Sequence, residues 1–295
     1  MKKEDTQRYI KDVENRITPG KVATVYQGAE LLRKLPLFIQ KKIITKSSKA
    51  DPYMGFVVEP YSLFLAYEVD ESLIGEYLPA EYELEPVSIF DNTVEKKCAI
   101  IGCFNVHTSV FWGSRFELYL IARNKKTGLV SWLICDYESN TINYDPGKGF
   151  LSPTLKRCIY TTSYDGELIC DIESKKSKNK IKLIADIKRF SCIELNKKLW
   201  IEGNLSIDYS GELDNSGNDP FGLIFDPNEM KCAQLLRKED IEIENIDFLF
   251  IDKSMGPFEA CCFQYAQHYI TTIFPRGHEM KDESDLENRI KEIIG

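Results

Sequence analysis

A lysine in a turn is the residue of this chain best suited to covalent chemistry on a small organic molecule. Lys148 lies in the turn-rich segment 143–150, just downstream of the strand-like run 128–138. An amine that is held by a stiff scaffold and partly shielded from water can condense with a ketone, and the cations Lys156 and Arg157 would favour its uncharged form. The alternative is a solvated surface lysine, because Asp-Pro-Gly-Lys-Gly is typical of an exposed turn.

Arg115 and Glu117 could bind and turn over a carboxylated molecule. They stand two residues apart in a strand-like run and therefore share a face of it. A guanidinium binds a carboxylate through two parallel hydrogen bonds, and a nearby glutamate can act as an acid or a base. Asp136 and Glu138 share a face of the next run and could lie opposite Arg115 if the two strands are adjacent. The alternative for Arg115 and Glu117 is a cross-strand ion pair on the solvent side.

Three more side chains could contact a substrate. His107 is of the residue type that most readily shuttles protons near neutral pH, although a lone histidine is also a common hydrogen-bonded structural residue. Trp112 belongs to a group of aromatic residues that would either line an apolar pocket or pack in the core. Tyr144 could donate a hydrogen bond to a carbonyl or carboxylate. His268 and His278 are too far apart for a helical metal pair, so we expect no metal and no cofactor.

The elements that must position these residues are mostly strands. Between residues 53 and 250 the chain has short apolar runs separated by Gly, Asn, Asp or Pro, and their partial alternation predicts half-buried antiparallel strands. The runs 181–187, 199–203 and 204–209 are examples. The polar, lysine-rich segment 173–180 predicts a hairpin loop rather than a phosphate site.

Helices are predicted at both ends of the chain. Apolar residues at helical spacing form one face of the first helix, and helical patterns follow at 29–35 and 41–45. Ser284 and Glu287 form a capping-box pattern at the start of a final amphipathic run. The first helical face consists of Tyr9, Ile10, Val13 and Ile17. We therefore divide the chain into a helical extension, a β-rich domain and a C-terminal helix, over residues 1–52, 53–275 and 276–295.

Composition excludes several functions. The 46 acidic residues outnumber the 38 basic ones, and the basic residues are not concentrated in any one stretch. The sequence therefore lacks the positive patch that binds nucleic acids. No apolar run approaches the roughly 20 residues that cross a bilayer, and no apolar segment follows the charged amino terminus as in a signal peptide. Nine scattered cysteines without a Cys-x-x-Cys pair are typical of a reducing compartment, so we expect buried thiols, no structural zinc and a cytoplasmic location.

The order of several segments resembles that of the acetoacetate decarboxylases. The segment 61–86 resembles their strand, short helix and Leu-Pro step; the runs 114–122 and 134–139 resemble the two strands that lead into their catalytic loop; 220–226 and 235–241 resemble their closing region. The resemblance implies an α+β fold, with a mostly antiparallel, strongly curved sheet or cone-like β-barrel and helices at both termini. It also implies a lyase, of decarboxylase, aldolase or dehydratase type, that acts on a small oxo-acid.

On this resemblance the candidate site has catalytic and substrate-binding residues. The catalytic candidates are Lys148, Glu138 and Arg115; the substrate-binding candidates are Tyr144, Glu117, His107 and Trp112. Terminal helices beyond the family pattern could cover a sheet edge or form a homo-oligomer contact.

The chain departs from the family at the catalytic loop. If Glu138 is set on the family's glutamate before the loop, the Schiff-base lysine position falls near Tyr144, and Lys148 comes four residues later. Glu59-Pro60 stands where the family has an arginine. Three functions therefore stay open: an imine-forming lyase that uses Lys148, an acid–base enzyme that uses Tyr144, Glu138 and Arg115, and a non-catalytic protein that binds a small molecule in the same cavity.

Overall fold

A computed structural model gives the fold of the chain. It describes residues 1–17, 27–48, 53–108, 112–145, 149–189, 191–213, 220–248, 250–251, 254–272 and 280–295.

Helices lie mainly at the two ends of the described chain. The α-helices are α1 (Lys3–Arg16), α2 (Leu37–Ser48), α3 (Glu71–Ile74) and α4 (Glu283–Ile294), and residues 27–32 are also helical. Short 3₁₀ turns are Gly75–Tyr77, Gly203–Leu205, Gly211–Leu213, Pro227–Met230 and Lys238–Asp240, and Lys198–Glu202 is a π-helical turn.

The strands fill the middle of the chain. They are β1 (Tyr53–Val58), β2 (Ser62–Glu68), β3 (Tyr82–Leu84), β4 (Cys98–Thr108), β5 (Trp112–Asn124), β6 (Val130–Ser139), β7 (Asn143–Asp145), β8 (Gly149–Leu151), β9 (Leu155–Thr162), β10 (Glu167–Ser174), β11 (Lys180–Asp186), β12 (Cys192–Glu194), β13 (Ile207–Tyr209), β14 (Ile224–Phe225), β15 (Cys232–Leu235), β16 (Ile241–Asp247), β17 (Glu259–Phe263) and β18 (Gln267–Thr272).

The strands form one large sheet, one small sheet and a hairpin. The order along the large sheet is β12-β15-β17-β2-β4-β1-β18-β14; β5 also pairs with β4, β3 and β6 pair with β5, and β13 pairs in parallel with β6. The small sheet has the order β16-β11-β10-β9, and β7 pairs with β8. The predicted α+β class with a mostly antiparallel sheet is confirmed. A closed barrel is not found, because the pairings between described strands do not join the ends of the large sheet.

Both faces of the large sheet are covered, which explains why its central strands are apolar almost throughout. The aromatic face carries Phe64, Tyr119 and Trp132 and packs against the terminal helices. The opposite face, which we call the sandwich face, carries Leu65 and Leu118 and packs against the small sheet. Side chains of alternate residues in one strand therefore belong to two different cores.

The strand predicted over 199–203 is wrong. Residues Lys198–Glu202 form the π-helical turn, and the Asn196 side chain accepts a hydrogen bond of 2.9 Å from the amide of the first residue of this turn. The turn buries three apolar residues in a row, which an alternating strand pattern does not describe. Gly203 then allows the chain to pass close to Trp132, because a Cβ atom at this position would lie 2.4 Å from the indole nitrogen.

The helix at the amino end is fixed by its predicted apolar face. Tyr9 and Val13 are fully buried, and the Tyr9 hydroxyl donates to the carbonyl of Ile224 at 2.7 Å. The side chain of Arg8 donates to two carbonyls at the end of α4, with a distance of 2.6 Å to the oxygen of Ile294. These contacts hold α1 against both the large sheet and α4.

The final helix is present, but its cap differs from the predicted one. Asp282 is the N-cap residue, since its carboxylate accepts from the amides of Ser284 and Asp285 at 2.9 and 3.0 Å. Leu286 and Ile290 are buried. The hairpin loop predicted at 173–180 is confirmed, since β10 and β11 pair on either side of it.

The cysteines divide into a bonded pair and buried thiols. Cys192 and Cys232 form a disulfide between β12 and β15, which the sequence did not predict. The remaining cysteines are thiols; Cys158 is half-buried and the others are buried, as predicted. Within the part of the chain that the structure describes, none of the helices combines the length and the apolar character that a bilayer crossing requires.

A buried ion pair joins β18 to the 3₁₀ turn Pro227–Met230. The imidazole Nδ1 of His268 lies 2.7 Å from a carboxylate oxygen of Glu229, and the His268 amide donates to the other oxygen at 2.6 Å. The second imidazole nitrogen lies 3.7 Å from the carboxylate of Glu14 in α1. Burial is the largest single influence and would lower the pKa of His268, but the hydrogen bond and charge of Glu229, together with the carboxylate of Glu14, outweigh it and raise the pKa above its usual value.

Stability should therefore depend on the charge of this histidine. Because the pKa of His268 is higher in the folded than in the unfolded chain, its contribution is complete below about pH 6.5 and is lost as the pH rises through the folded-state pKa. We expect His268→Gln to lower the free energy of unfolding more at pH 6 than at pH 9 in urea titrations. His107→Gln is the control, and an equal loss at both pH values would contradict the prediction.

Candidate functional site

An arginine–glutamate pair lies on the aromatic face of β5. Arg115 Nε and Glu117 Oε1 form an ion pair, and the side chains are 20% and 8% exposed. The pair is therefore mostly inside the protein rather than on a solvent face, and about one fifth of the arginine side chain is exposed. The strand positions both side chains because residues two apart point the same way, as predicted.

Two tyrosines complete this group. The hydroxyl of Tyr119, on the same strand face, donates a hydrogen bond to Glu117 Oε2. The guanidinium of Arg115 lies over the ring of Tyr137 in the neighbouring strand β6, 4.7 Å from the ring centroid. We call these four residues the Arg115 cluster. The guanidinium is thus held between a carboxylate and an aromatic face, two surroundings that favour a cation.

The charges of the cluster are fixed by its environment. Burial would lower the pKa of Arg115, but Glu117 and the surrounding tyrosines raise it above its usual value, so the guanidinium stays charged. Burial and the carboxylate of Glu117 raise the pKa of the Tyr119 hydroxyl, which stays protonated and able to donate. Burial first, then the charge of Glu229, raise the pKa of Tyr269, and Glu117 contributes less. The site therefore presents one fixed cation and protonated phenols.

Glu138 is not part of this cluster. In the register of β5 and β6, Phe116 is opposite Glu138, and Arg115 is opposite Ser139. Side chains of paired residues share a face, so Glu138 lies on the sandwich face and Arg115 on the aromatic face. The two strands are adjacent, as required, but the prediction that the β6 carboxylates face Arg115 is wrong.

Asp136 and Glu138 instead meet the loop between β10 and β11. Ser177 donates to Glu138 at 3.3 Å, and the side-chain amide of Asn179 donates to Asp136. Glu138 is 3% exposed. Burial, and then the charge of Glu138, raise the pKa of Asp136 to about 6. This carboxylate pair anchors the loop of the small sheet to the large sheet.

His107 and Trp112 lie together, away from the Arg115 cluster. They are paired across β4 and β5, and both contact the Glu59 carboxylate, at 3.3 Å from His107 Nδ1 and 3.1 Å from Trp112 Nε1. Trp112 is three residues before Arg115 and so points to the other face of β5. Its side chain is 70% exposed, which does not match a pocket wall.

The hairpin β7–β8 flanks the predicted catalytic lysine. Tyr144 pairs with Phe150 in this hairpin, and the Phe150 amide donates to Gln40 in α2 at 3.0 Å. Lys148 lies outside the described residues. Its place near the substrate therefore stays a prediction, as does the role of the Tyr144 side chain.

Two residues of the cluster were not predicted as site residues. Tyr119 follows Glu117 at the spacing of one strand face, a signal available in the sequence. Tyr137 could not be placed at the site from sequence, because its position beneath Arg115 depends on the strand register. Among the described residues, no group of three or more His, Cys, Asp or Glu could hold a metal ion.

Comparisons with known proteins return solved structures of similar fold. An acetoacetate decarboxylase from Legionella pneumophila subsp. pneumophila str. Philadelphia 1 is 13% identical, with a TM-score of 0.48 over 78% of this chain and 88% of that one. A second acetoacetate decarboxylase is 9% identical, with a TM-score of 0.40 over 76% and 89%. The enduracididine biosynthesis enzyme MppR, complexed with the condensation product of pyruvate and imidazole 4-carboxaldehyde, is 10% identical, with a TM-score of 0.36 over 74% and 85%.

No protein-family model matches the chain, and no curated protein matches it.

Proposed function

We propose that the chain binds a small carboxylate, such as an oxo-acid, at the Arg115 cluster. The observation that carries this proposal is Arg115, whose side chain is four-fifths buried and whose guanidinium lies between Glu117 and the ring of Tyr137. A cation that is fixed before the ligand arrives loses little freedom on binding, so the ligand gains more from the contact.

The chemistry of the cluster matches a planar anion. A guanidinium has five N–H donors in a rigid fork, and Glu117 engages the Nε side of it. A carboxylate fits such a fork through two parallel hydrogen bonds, and these are stronger in a partly dry interior than in water. The raised pKa of Tyr119 shows that this part of the protein favours the neutral, protonated form of an acidic group.

We further propose that the reaction is of the lyase class, with Lys148 as the reactive amine. The lysine nitrogen would attack the ketone carbon of the bound acid, and loss of water would give an imine. In a β-keto acid the bond to the carboxylate then breaks, its electron pair moves to the imine nitrogen, and carbon dioxide leaves. Protonation of the enamine carbon and hydrolysis of the imine return the free amine and a ketone.

The alternative is ligand binding without turnover. It is favoured by the position of Tyr144, which stands where the sequence resemblance sets the Schiff-base lysine. In that case the Arg115 cluster would bind the carboxylate and no covalent intermediate would form.

Borohydride trapping separates these functions. The protein is incubated with acetoacetate or pyruvate, reduced, and examined by intact mass and peptide mapping. We expect an adduct on Lys148 that is lost in Lys148→Ala and retained in the control Lys126→Ala, which changes an exposed lysine in the turn between β5 and β6. If no adduct forms on any lysine while the acids still raise the melting temperature, the lyase proposal is wrong and the binding function stands. If neither effect occurs, both are wrong.

A further inference from the structure

A cleft opens on the sandwich face of the large sheet, beside β16. Its volume is about 400 Å³, within the range of small-molecule sites. Apolar side chains of β16 and of the segment before β17 form its walls, including Ile241, Ile243, Ile246, Met255 and Phe258. The Arg115 cluster lies on the other face of the sheet, so the two sites are separate.

A buried hydroxyl lines this cleft without an internal partner. Tyr67 in β2 is 2% exposed, and its hydroxyl oxygen has no hydrogen-bond partner among the described residues. Burial raises the pKa of this hydroxyl, which therefore stays protonated and able to donate. Buried polar groups are nearly always hydrogen-bonded, so an unpaired donor at a cavity wall indicates a ligand that accepts from it.

The cleft also carries positive charge. Arg237 and Lys238, at the start of the 3₁₀ turn between β15 and β16, belong to its lining, and the Arg237 side chain is 64% exposed. Glu239 lies 4.0 Å from the guanidinium at a similarly exposed position, where such a pair is weak. Glu259 also lines the cleft, but its carboxylate accepts from the amide of Ile89 at 2.5 Å.

We propose that this cleft binds an elongated apolar anion with a carbonyl oxygen at its inner end. The apolar body would lie along the three isoleucines of β16, the anionic group would contact Arg237 and Lys238, and the carbonyl would accept a hydrogen bond from Tyr67. The three features are arranged as apolar walls, exposed cations and one buried donor, which together select for this class of molecule.

Isothermal titration with two matched acids and a ketone tests the proposal. The two acids differ by the hydrogen bond that the ketone oxygen accepts from Tyr67, so we expect 9-oxodecanoate to bind about tenfold more tightly than decanoate. Tyr67→Phe should abolish this preference while leaving the melting temperature unchanged or higher, since the lost hydroxyl has no internal partner. Replacing Arg237 and Lys238 together by alanine should weaken both acids about tenfold and leave 2-decanone unaffected, and Lys126→Ala is the control for surface charge.

Three results would overturn the proposal. One is failure of all three compounds to bind; another is a preference for the oxo-acid that survives in Tyr67→Phe. The third is displacement of 9-oxodecanoate by excess pyruvate, because this would place the ligand at the Arg115 cluster instead.

Discussion

Replacement of Arg115 by methionine should abolish the binding of small carboxylates. The variant keeps the apolar stem of the side chain but removes the cation, and we expect the affinity for pyruvate or acetoacetate to fall at least 100-fold, by about 3 kcal/mol. The variant should also be less stable by about 3 kcal/mol, because the buried carboxylate of Glu117 keeps the hydrogen bond from Tyr119 but loses its cation. Calorimetric titration and urea unfolding measure the two effects.

A second substitution separates binding from stability. In Arg115→Met/Glu117→Gln the uncompensated carboxylate is removed, so most of the stability should return while binding stays lost. Arg123→Met is the matched control, because Arg123 also lies in β5 and forms an ion pair, with Glu85, outside the cluster. Normal affinity in the double variant would show that Arg115 is a structural residue only.

Removal of the charge at Asp136 should make the protein more stable. The pKa of Asp136 is raised from 3.8 to about 6, so the folded chain holds this proton more tightly than the unfolded chain does. The stability that protonation supplies is therefore complete below about pH 4 and is lost as the pH rises to 6. At pH 8 the ionised group costs about 2–3 kcal/mol, which Asp136→Asn should recover.

The pH dependence checks this cause. We expect the gain of Asp136→Asn in urea unfolding to be large at pH 8 and small at pH 4, with a flatter stability profile between them. Asp165→Asn, in the exposed turn before β10, is the control and should change stability by less than about 0.5 kcal/mol. A gain that is the same at both pH values would show that the charge of Asp136 is not its source.

The part of the site that one strand determines could be predicted from sequence, and the part that depends on two strands could not. The shared face of Arg115 and Glu117 follows from the period of a strand. The face of Glu138 depends on a bulge, because Tyr119 pairs with Ile134 on one side of it and Leu118 pairs with Asp136 on the other. If the register that pairs Tyr119 with Ile134 had continued along the strands, Glu138 would stand opposite Arg115. One extra residue in β6 reverses the face, and nothing in the local sequence marks it.

The fold shows the same division. The polar segment 173–180 predicted the hairpin of β10 and β11, and helical spacing predicted the buried face of α1, since both depend on neighbouring residues. The turn Lys198–Glu202 was misassigned because three adjacent apolar residues enter one aromatic core, which includes Trp132 from a distant strand. Closure of the sheet likewise depends on strand ends that are far apart in the chain.

The position of α1 has a consequence for the order of folding. Its partners are Ile224, His268 and the carbonyls of Ile294 and Gly295, more than 200 residues away along the chain. On a ribosome this helix is made before the large sheet, but its docking surface is complete only after α4 has emerged. During synthesis the helix must therefore wait with Tyr9 and Val13 exposed, and such long-range contacts form slowly. Docking of α1 should be a late step, after the large sheet has formed.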